Sequence, residues 1–189
     1  MRRFVAASVV LLAVAAVLAG CASLTGFGNQ SVVRGDWATY APRKLVYALA
    51  QGDVPVMVHG DPFVEGEALS SRLVSNIQNK PTWAPEGRYV AAVDPGESAY
   101  YLVFVFNPPV TYDGYDACSG VMPAAGAPES DLRLVAAFCS SVKLESEVRA
   151  RATGMGSSSD AEFGHFLRLV VAELLPHRSG YMGPDILTN

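Results

Sequence analysis

The stretch YYLVFVF, residues 100–106, decides the fold, because all seven of its side chains are apolar or aromatic. Successive side chains of a β-strand point to opposite faces of the sheet. A run that is apolar at both its odd and its even positions therefore predicts a central strand that is covered on both faces. Pro108 and Pro109 follow, and they end the strand because proline has no N–H to offer the ladder.

Further stretches on both sides of this run have the composition of strands. They are residues 54–58, 88–93, 132–140 and 142–152. The turn residues Asp94-Pro95-Gly96 separate the second of these from the central strand. The last two stretches predict a β-hairpin.

The second strand of that hairpin alternates between apolar and charged side chains. The apolar set is Val142, Leu144, Val148 and Ala150, and the charged set is Lys143, Glu145, Glu147, Arg149 and Arg151. This alternation predicts one face against the core and one solvated, charged face.

Two stretches have the spacing of amphipathic helices. Residues 67–79 place Leu69, Leu73, Val74 and Ile77 on one stripe. The second begins with a capping box of Ser159 and Glu162 and ends at Pro176. A third stretch, 42–51, fits a helix that begins at Pro42 or a strand at 45–47 followed by a turn, and we favour the helix.

The first twenty residues have the order of a secretory signal. Arg2 and Arg3 precede an apolar run over 4–19, which is shorter than a membrane-spanning helix requires. The sequence Leu18-Ala19-Gly20-Cys21 resembles the bacterial lipobox. The resemblance implies cleavage before Cys21 and attachment of lipid to its thiol, so that the membrane is one partner of the protein.

The residues after the lipobox add an expected location and an expected tether. Ala22 and Ser23 resemble the sorting signal of outer-membrane lipoproteins, which implies an outer-membrane anchor facing the periplasm. Residues 21–38 are aperiodic and carry Gly, Ser and Asn, so we expect a flexible tether there.

The predicted architecture is a single α+β domain over residues 39–189. We expect a two-layer sandwich of a four- or five-stranded, mostly antiparallel sheet with two or three helices on one face. This order of elements resembles small envelope-lipoprotein domains, including those similar to the N-terminal domain of TolB. Such a likeness concerns the fold and carries little information about function.

Charge and cysteines restrict the partners. Removal of residues 1–20 leaves twelve basic and eighteen acidic side chains, a formal charge of −6, which disfavours a nucleic-acid partner. Cys118 and Cys139 remain after lipidation of Cys21, and an oxidising compartment favours a disulfide between them. Their spacing suits neither a zinc site nor a C-x-x-C redox pair.

The long loop over residues 107–131 is the candidate interaction surface. It is rich in Pro, Gly, Asp and Ala, and Cys118 would attach its middle to the strand that carries Cys139. Tyr112, Tyr115, Val121 and Met122 are the side chains that we expect at an interface, since Tyr and Met are enriched there. The alternative is that these side chains cover the edge of the core.

No catalytic motif stands out. His59 and Asp61 are the one combination that could supply a general base or half of a metal site, and we favour the alternative of a turn in which Asp61 caps a helix. No G-x-S-x-G or H-E-x-x-H motif occurs, and no cofactor or metal pattern is present. We therefore expect a non-enzymatic binding or scaffolding subunit of an envelope transport, assembly or wall-synthesis system. A lipoprotein that binds lipid or a small molecule is the alternative, and a hydrolase using His59 and Asp61 is a weaker one.

Overall fold

The computed structural model describes residues 31–37, 39–123 and 131–178. Its strands are β1 (Ser31–Asp36), β2 (Val54–His59), β3 (Tyr89–Ala92), β4 (Tyr100–Phe106), β5 (Asp131–Ser140) and β6 (Lys143–Thr153). They form one sheet of order β1-β6-β5-β4-β2-β3. β2 is parallel to β3 and β4, and the other pairs are antiparallel. The α+β class is confirmed, with six strands in a mixed sheet where four or five were expected.

The helices are α1 (Pro42–Gln51), α2 (Glu67–Ile77), α3 (Gly114–Cys118) and α4 (Ala161–Leu174). Apolar side chains of α1, α2 and α4 share one core with the sheet, so the prediction of two or three helices on one face is confirmed. The ambiguous stretch 42–51 is a helix. Within the described ranges, no helix combines the length and the hydropathy that crossing a bilayer requires.

β4 is buried on both of its faces, as its sequence predicts. Leu102, Phe104 and Phe106 belong to the helix-side core. Tyr101, Val103 and Val105 belong to a second, smaller core on the opposite face of the sheet, which is called the second face below. Burial of one large apolar side chain contributes roughly 1.5–3 kcal/mol, so this strand stabilises both layers at once.

The second face is covered in part by α3 and the chain beside it. Ala117 and Cys118 of α3 pack in the second core with Tyr112. Cys118 is bonded to Cys139 of β5, as predicted, with their Cα atoms 5.5 Å apart. The 107–131 loop thus contains a short helix fixed to the sheet. Residues 124–130 of it lie outside the described part of the chain.

The prediction of a tether over 21–38 is wrong for residues 31–36. These residues form β1, which pairs antiparallel with β6 at the edge of the sheet. Gly35 lies directly under the Trp37 indole, where a Cβ would fall 2.4 Å from Cζ2 of the ring. The strand depends on pairing with residues more than a hundred positions away, and its own sequence has little β pattern.

The predicted alternation of β6 is interrupted by a β-bulge. Phe138 lies opposite Ser146, whereas Cys139 lies opposite Leu144, so Glu145 is the extra residue. Leu144 therefore packs in the second core, while Val148 packs in the helix-side core. Because a bulge adds one residue, every side chain after it points to the opposite face of the sheet from the one that plain alternation predicts.

Of the predicted charged face of β6, Lys143, Arg149 and Arg151 are exposed, and the two residues between them are not. Glu145 and Glu147 are buried, and the prediction of a wholly solvated face is wrong for both. Glu145 pairs with Lys44 of α1, and Glu147 accepts hydrogen bonds from the amide of Gly114 at 3.0 Å and from Nε of Arg149 at 2.6 Å. Each buried carboxylate has a partner, as buried charges require.

We expect reduction of the Cys118–Cys139 disulfide to lower the free energy of unfolding by about 3 kcal/mol, since the bridge closes a loop of this length in the unfolded chain. Urea unfolding with and without a reductant would measure the difference. The Cys118→Ser/Cys139→Ser double variant should reproduce the reduced state, and Ser119→Ala, an exposed neighbour, should unfold like the unmodified protein. Equal unfolding midpoints in both redox states would contradict this role.

Candidate functional site

The 107–123 segment places most of the predicted interface side chains in solvent. Tyr115, Val121 and Met122 are exposed, Tyr115 by 65%. Val110 from the same segment is 81% exposed. Tyr112 is instead 4% exposed and belongs to the second core, so its prediction as a contact residue is wrong. The segment therefore combines one buried anchor with four exposed apolar side chains.

Hydrogen bonds hold the segment in place beside the disulfide. Asp113 and Asp116 form a capping box at the start of α3. The Tyr101 hydroxyl donates to the carbonyl of Cys118 at 2.9 Å, and the Tyr112 hydroxyl donates to the carbonyl of Val121 at 2.9 Å. Packing, covalent linkage and hydrogen bonding together make this segment an ordered surface.

Four arginines lie beside the segment on the uncovered part of the second face. Arg34 of β1 lies directly opposite Arg149 of β6, and Arg133 of β5 lies directly opposite Arg151 of β6. Arg149 is also level with Val135, whose side chain belongs to the second core. The two rows therefore share the face on which α3 lies.

These arginines border a groove of about 250 Å³, which is called the arginine groove below. Its other walls include Pro108, Pro109, Val110 and Tyr112 of the loop segment. Tyr115 lies further along the same two strands, in a small hollow with Asp36 and Glu147. The arginines and Tyr115 therefore lie at two neighbouring places along β1 and β6, with the acids Asp36 and Glu147 beside Tyr115.

Like charges directly opposite each other in a sheet are destabilising, so this arrangement has a cost to folding. Two acids offset it in part: Glu147 pairs with Arg149, and Asp131 pairs with Arg151. Arg149 and Arg151 nevertheless keep 51% and 63% of their side-chain surface exposed. A costly cluster of exposed arginines is a candidate for recognition of acidic groups.

The sequence did not identify these arginines as a group. The alternation of β6 predicts only a solvated face for Arg149 and Arg151, and the expected tether contains Arg34. The spacing of Arg149 and Arg151, two residues apart on a strand, was the one local signal that both point to the same face. The contribution of Arg34 required knowledge that β1 pairs with β6.

His59 and Asp61 lie at the carboxyl end of β2. Asp61 accepts hydrogen bonds from the amides of Phe63 and Gly66, at 3.2 Å and 2.6 Å. Partial burial alone would raise the pKa of Asp61, but these backbone donors lower it below its usual range. The carboxylate therefore organises the turn before α2, which begins at Glu67 and has Gly66 as its N-cap.

His59 is half-buried, and its Nε2 atom has no hydrogen-bond partner within the described residues. Burial lowers the pKa of His59, because desolvation disfavours the charged imidazole. In the described part of the chain, no hydrogen bond joins His59 to Asp61, whose carboxylate instead accepts from the amides of its own turn. The structure therefore does not show Asp61 orienting His59 as the second member of a base and orienter pair. Among the described residues, no group of three His, Cys, Asp or Glu could hold a metal ion.

Comparison with known proteins does not identify a family for this chain. No protein-family model matches the chain, and no curated protein matches it significantly. Two solved structures of a PelC dodecamer from Paraburkholderia phytofirmans are similar at 12% and 14% identity, with TM-scores of 0.43 and 0.42. They cover 79% and 78% of this chain and 100% and 97% of their own. At these values, the likeness carries no argument about function.

We expect the protein to lose stability as the pH falls from 7 to 5, and His59 to account for part of the loss. The pKa of His59 is lower in the folded state than its ordinary value of 6.5, so the unfolded chain binds the proton more readily. The stability that His59 contributes is therefore complete above pH 6.5 and is lost below it. Urea unfolding across this pH range should show that the free energy of unfolding of His59→Gln falls less steeply than that of the unmodified protein.

His165→Gln is the matched control, since His165 is an exposed residue of α4. Its free energy of unfolding should change with pH as steeply as that of the unmodified protein. An identical slope for His59→Gln would contradict the assignment of this pH dependence to His59.

Proposed function

We propose that this protein is a non-enzymatic lipoprotein of the cell envelope that acts as a binding or scaffolding subunit for a partner protein. The system that it serves would be one of transport, assembly or wall synthesis. One observation supports this proposal above others: exposed Val110 lines the arginine groove, and exposed Tyr115 lies further along the same two strands. Contiguous exposed apolar side chains bordered by charge are typical of protein–protein interaction sites.

The partner that fits this surface is an envelope protein with carboxylate side chains around an apolar contact. Arg34, Arg149 and Arg151 would pair with aspartate or glutamate of the partner, which can bind the guanidinium in bidentate fashion. Val110 and Tyr115 would supply the contact that excludes water. Arginine and tyrosine are among the residues that carry most of the binding energy at interfaces.

The anchor would keep this surface close to a membrane. Lipid on Cys21, with outer-membrane location facing the periplasm, follows from the resemblance to the lipobox and to the sorting signal. Ten residue steps separate Cys21 from Ser31, the first residue of β1. At roughly 3.5 Å per residue, even full extension would span no more than about 35 Å. The domain would therefore reach partners at or near the same membrane.

The first test is site-specific photocrosslinking in intact cells. A photoreactive residue at Val110 or at Tyr115 should yield a crosslink to one envelope protein, identified by mass spectrometry. The matched control is Val93, which is 91% exposed in the turn after β3. Crosslinking at Val93 with equal yield, or no protein crosslink at Val110 and Tyr115, would overturn the proposal.

The second test changes the charge of the arginine groove and measures binding between the purified protein and the partner identified by crosslinking. Arg34→Glu should weaken binding on the order of tenfold at low salt, with a smaller effect at high salt. The variant should still fold, because it replaces one of two arginines that lie directly opposite each other. Arg43→Glu, on the exposed side of α1, has the same charge change and should bind normally. Equal losses in both variants would indicate a dependence on net charge alone.

The anchor is tested separately with Cys21→Ala. We expect this variant to leave the membrane fraction and to fold with an unchanged disulfide, because the described domain begins ten residues later. Fractionation of cells and detection of the lipid on the purified chain would measure the effect. Continued membrane association without lipid would contradict the lipoprotein part of the proposal.

A further inference from the structure

A cleft of about 710 Å³ lies at the carboxyl end of α4, apart from the arginine groove. The protein has two tryptophans, Trp37 and Trp83, and both line this cleft. Trp37 follows β1 and Trp83 follows α2, so the fold brings them together from distant parts of the chain. Both also pack against the helix-side core, so the cleft belongs to the helix layer.

The two indoles are held by the same kind of hydrogen bond. Nε1 of Trp37 donates to the carbonyl of Glu173, and Nε1 of Trp83 donates to the carbonyl of Leu175 at 3.0 Å. The last carbonyls of a helix have no partner within it, so the indoles satisfy groups that would otherwise need water. The N–H groups are thereby occupied, and what the rings offer the cleft is their apolar surface. His177 adds a third ring, 5.3 Å from Trp83.

The cleft is positive in a protein that is negative overall. Lys80, Arg168 and Arg178 line it with one acid, Glu173, whereas the whole chain has a formal charge of −4. Within the described residues, none of the three cations forms an ion pair. The helix dipole does not account for Arg168, because that residue precedes the last turn of α4, where the effect of the dipole is confined.

The ligand can be inferred from the chemistry of the cleft, which offers apolar ring faces and cations that have no ion-pair partner in the described part of the chain. A flat apolar face would pack on the indoles, and a carboxylate would pair with the guanidinium of Arg168. A sugar ring has such a face in its C–H groups, and a uronic acid adds the carboxylate. The volume lies within the range of small-ligand sites, about 300–1,000 Å³. We propose that this cleft binds an acidic carbohydrate, with Trp37 and Trp83 as the ring contacts and Lys80 and Arg168 as the anion contacts.

Other occupants fit less well. A neutral sugar would leave three cations unused, and an inorganic anion would leave the indole faces unused. A lipid chain would need an enclosed apolar cavity, whereas cations border this one. The site is independent of the proposed partner protein, because it shares no residue with the arginine groove.

The test uses the tryptophans as reporters, since both of them lie in the cleft. The full-length protein in detergent is titrated with trigalacturonate, with maltotriose as the neutral trisaccharide, and with sodium phosphate. We expect a saturable change in tryptophan emission with trigalacturonate alone. Arg168→Gln should raise the dissociation constant on the order of tenfold, the scale of one charge-assisted contact.

Arg43→Gln is the matched control, because it removes the same charge from α1, outside the cleft. It should bind trigalacturonate like the unmodified protein, and thermal unfolding should give both variants the melting temperature of that protein. Lys80→Gln is the second variant should Arg168→Gln prove unstable, and it should weaken binding in the same direction.

Several outcomes would overturn the proposal. Equal emission changes with maltotriose would show that charge plays no part, and equal changes with phosphate would indicate a simple anion site. No saturable change with trigalacturonate, or a dissociation constant that neither Arg168→Gln nor Lys80→Gln alters, would remove the carbohydrate site. A response to phosphatidylglycerol vesicles but not to the trisaccharide would assign the cleft to a lipid surface. Arg34→Glu tests the partner surface, so the two proposals can fail separately.

Discussion

The burial of β4 on both faces is the constraint on which the rest of the structure depends. A strand with apolar side chains on each face must have a layer on each side, or it exposes a row of aromatic and branched side chains to water. Three helices supply one layer. The core on the opposite face is smaller, and the short helix α3, with its disulfide to β5, covers it. The first role of the loop after Phe106 is therefore to cover the second core.

Aromatic side chains with a polar atom recur at the surfaces that we consider functional. Tyr101 and Tyr112 donate to carbonyls of the 107–123 segment, and Trp37 and Trp83 donate to carbonyls at the end of α4. In each case the polar atom of the ring satisfies a backbone group near the surface. The segment or helix end is thereby held in one conformation, which reduces the entropy lost when a ligand binds.

The elements that the sequence predicts well are those with a local signal. The central strand, the hairpin, the helices and the disulfide each have a pattern within a few residues or a compartment argument. β1 has none, because its pairing partner is distant in the chain. The same reason explains why neither the arginine groove nor the cleft at the carboxyl end of α4 could be predicted, since Arg34 and Trp37 lie in the segment expected to be a tether. Tyr112 differs from its prediction because the composition of a loop does not distinguish a buried anchor from an exposed contact residue.

The bulge at Glu145 bears on how the chain tolerates insertions and deletions. Residues before the bulge, such as Leu144, face the second core, and residues after it, such as Val148, face the helix-side core. A deletion of one residue here would restore plain alternation and turn one of these sets toward the wrong core. Surface turns usually accept such length changes. The bulge differs from such turns, because the number of residues from Leu144 to Val148 decides which core each side chain enters. The length of this segment is therefore as much a part of the fold as the identity of its side chains.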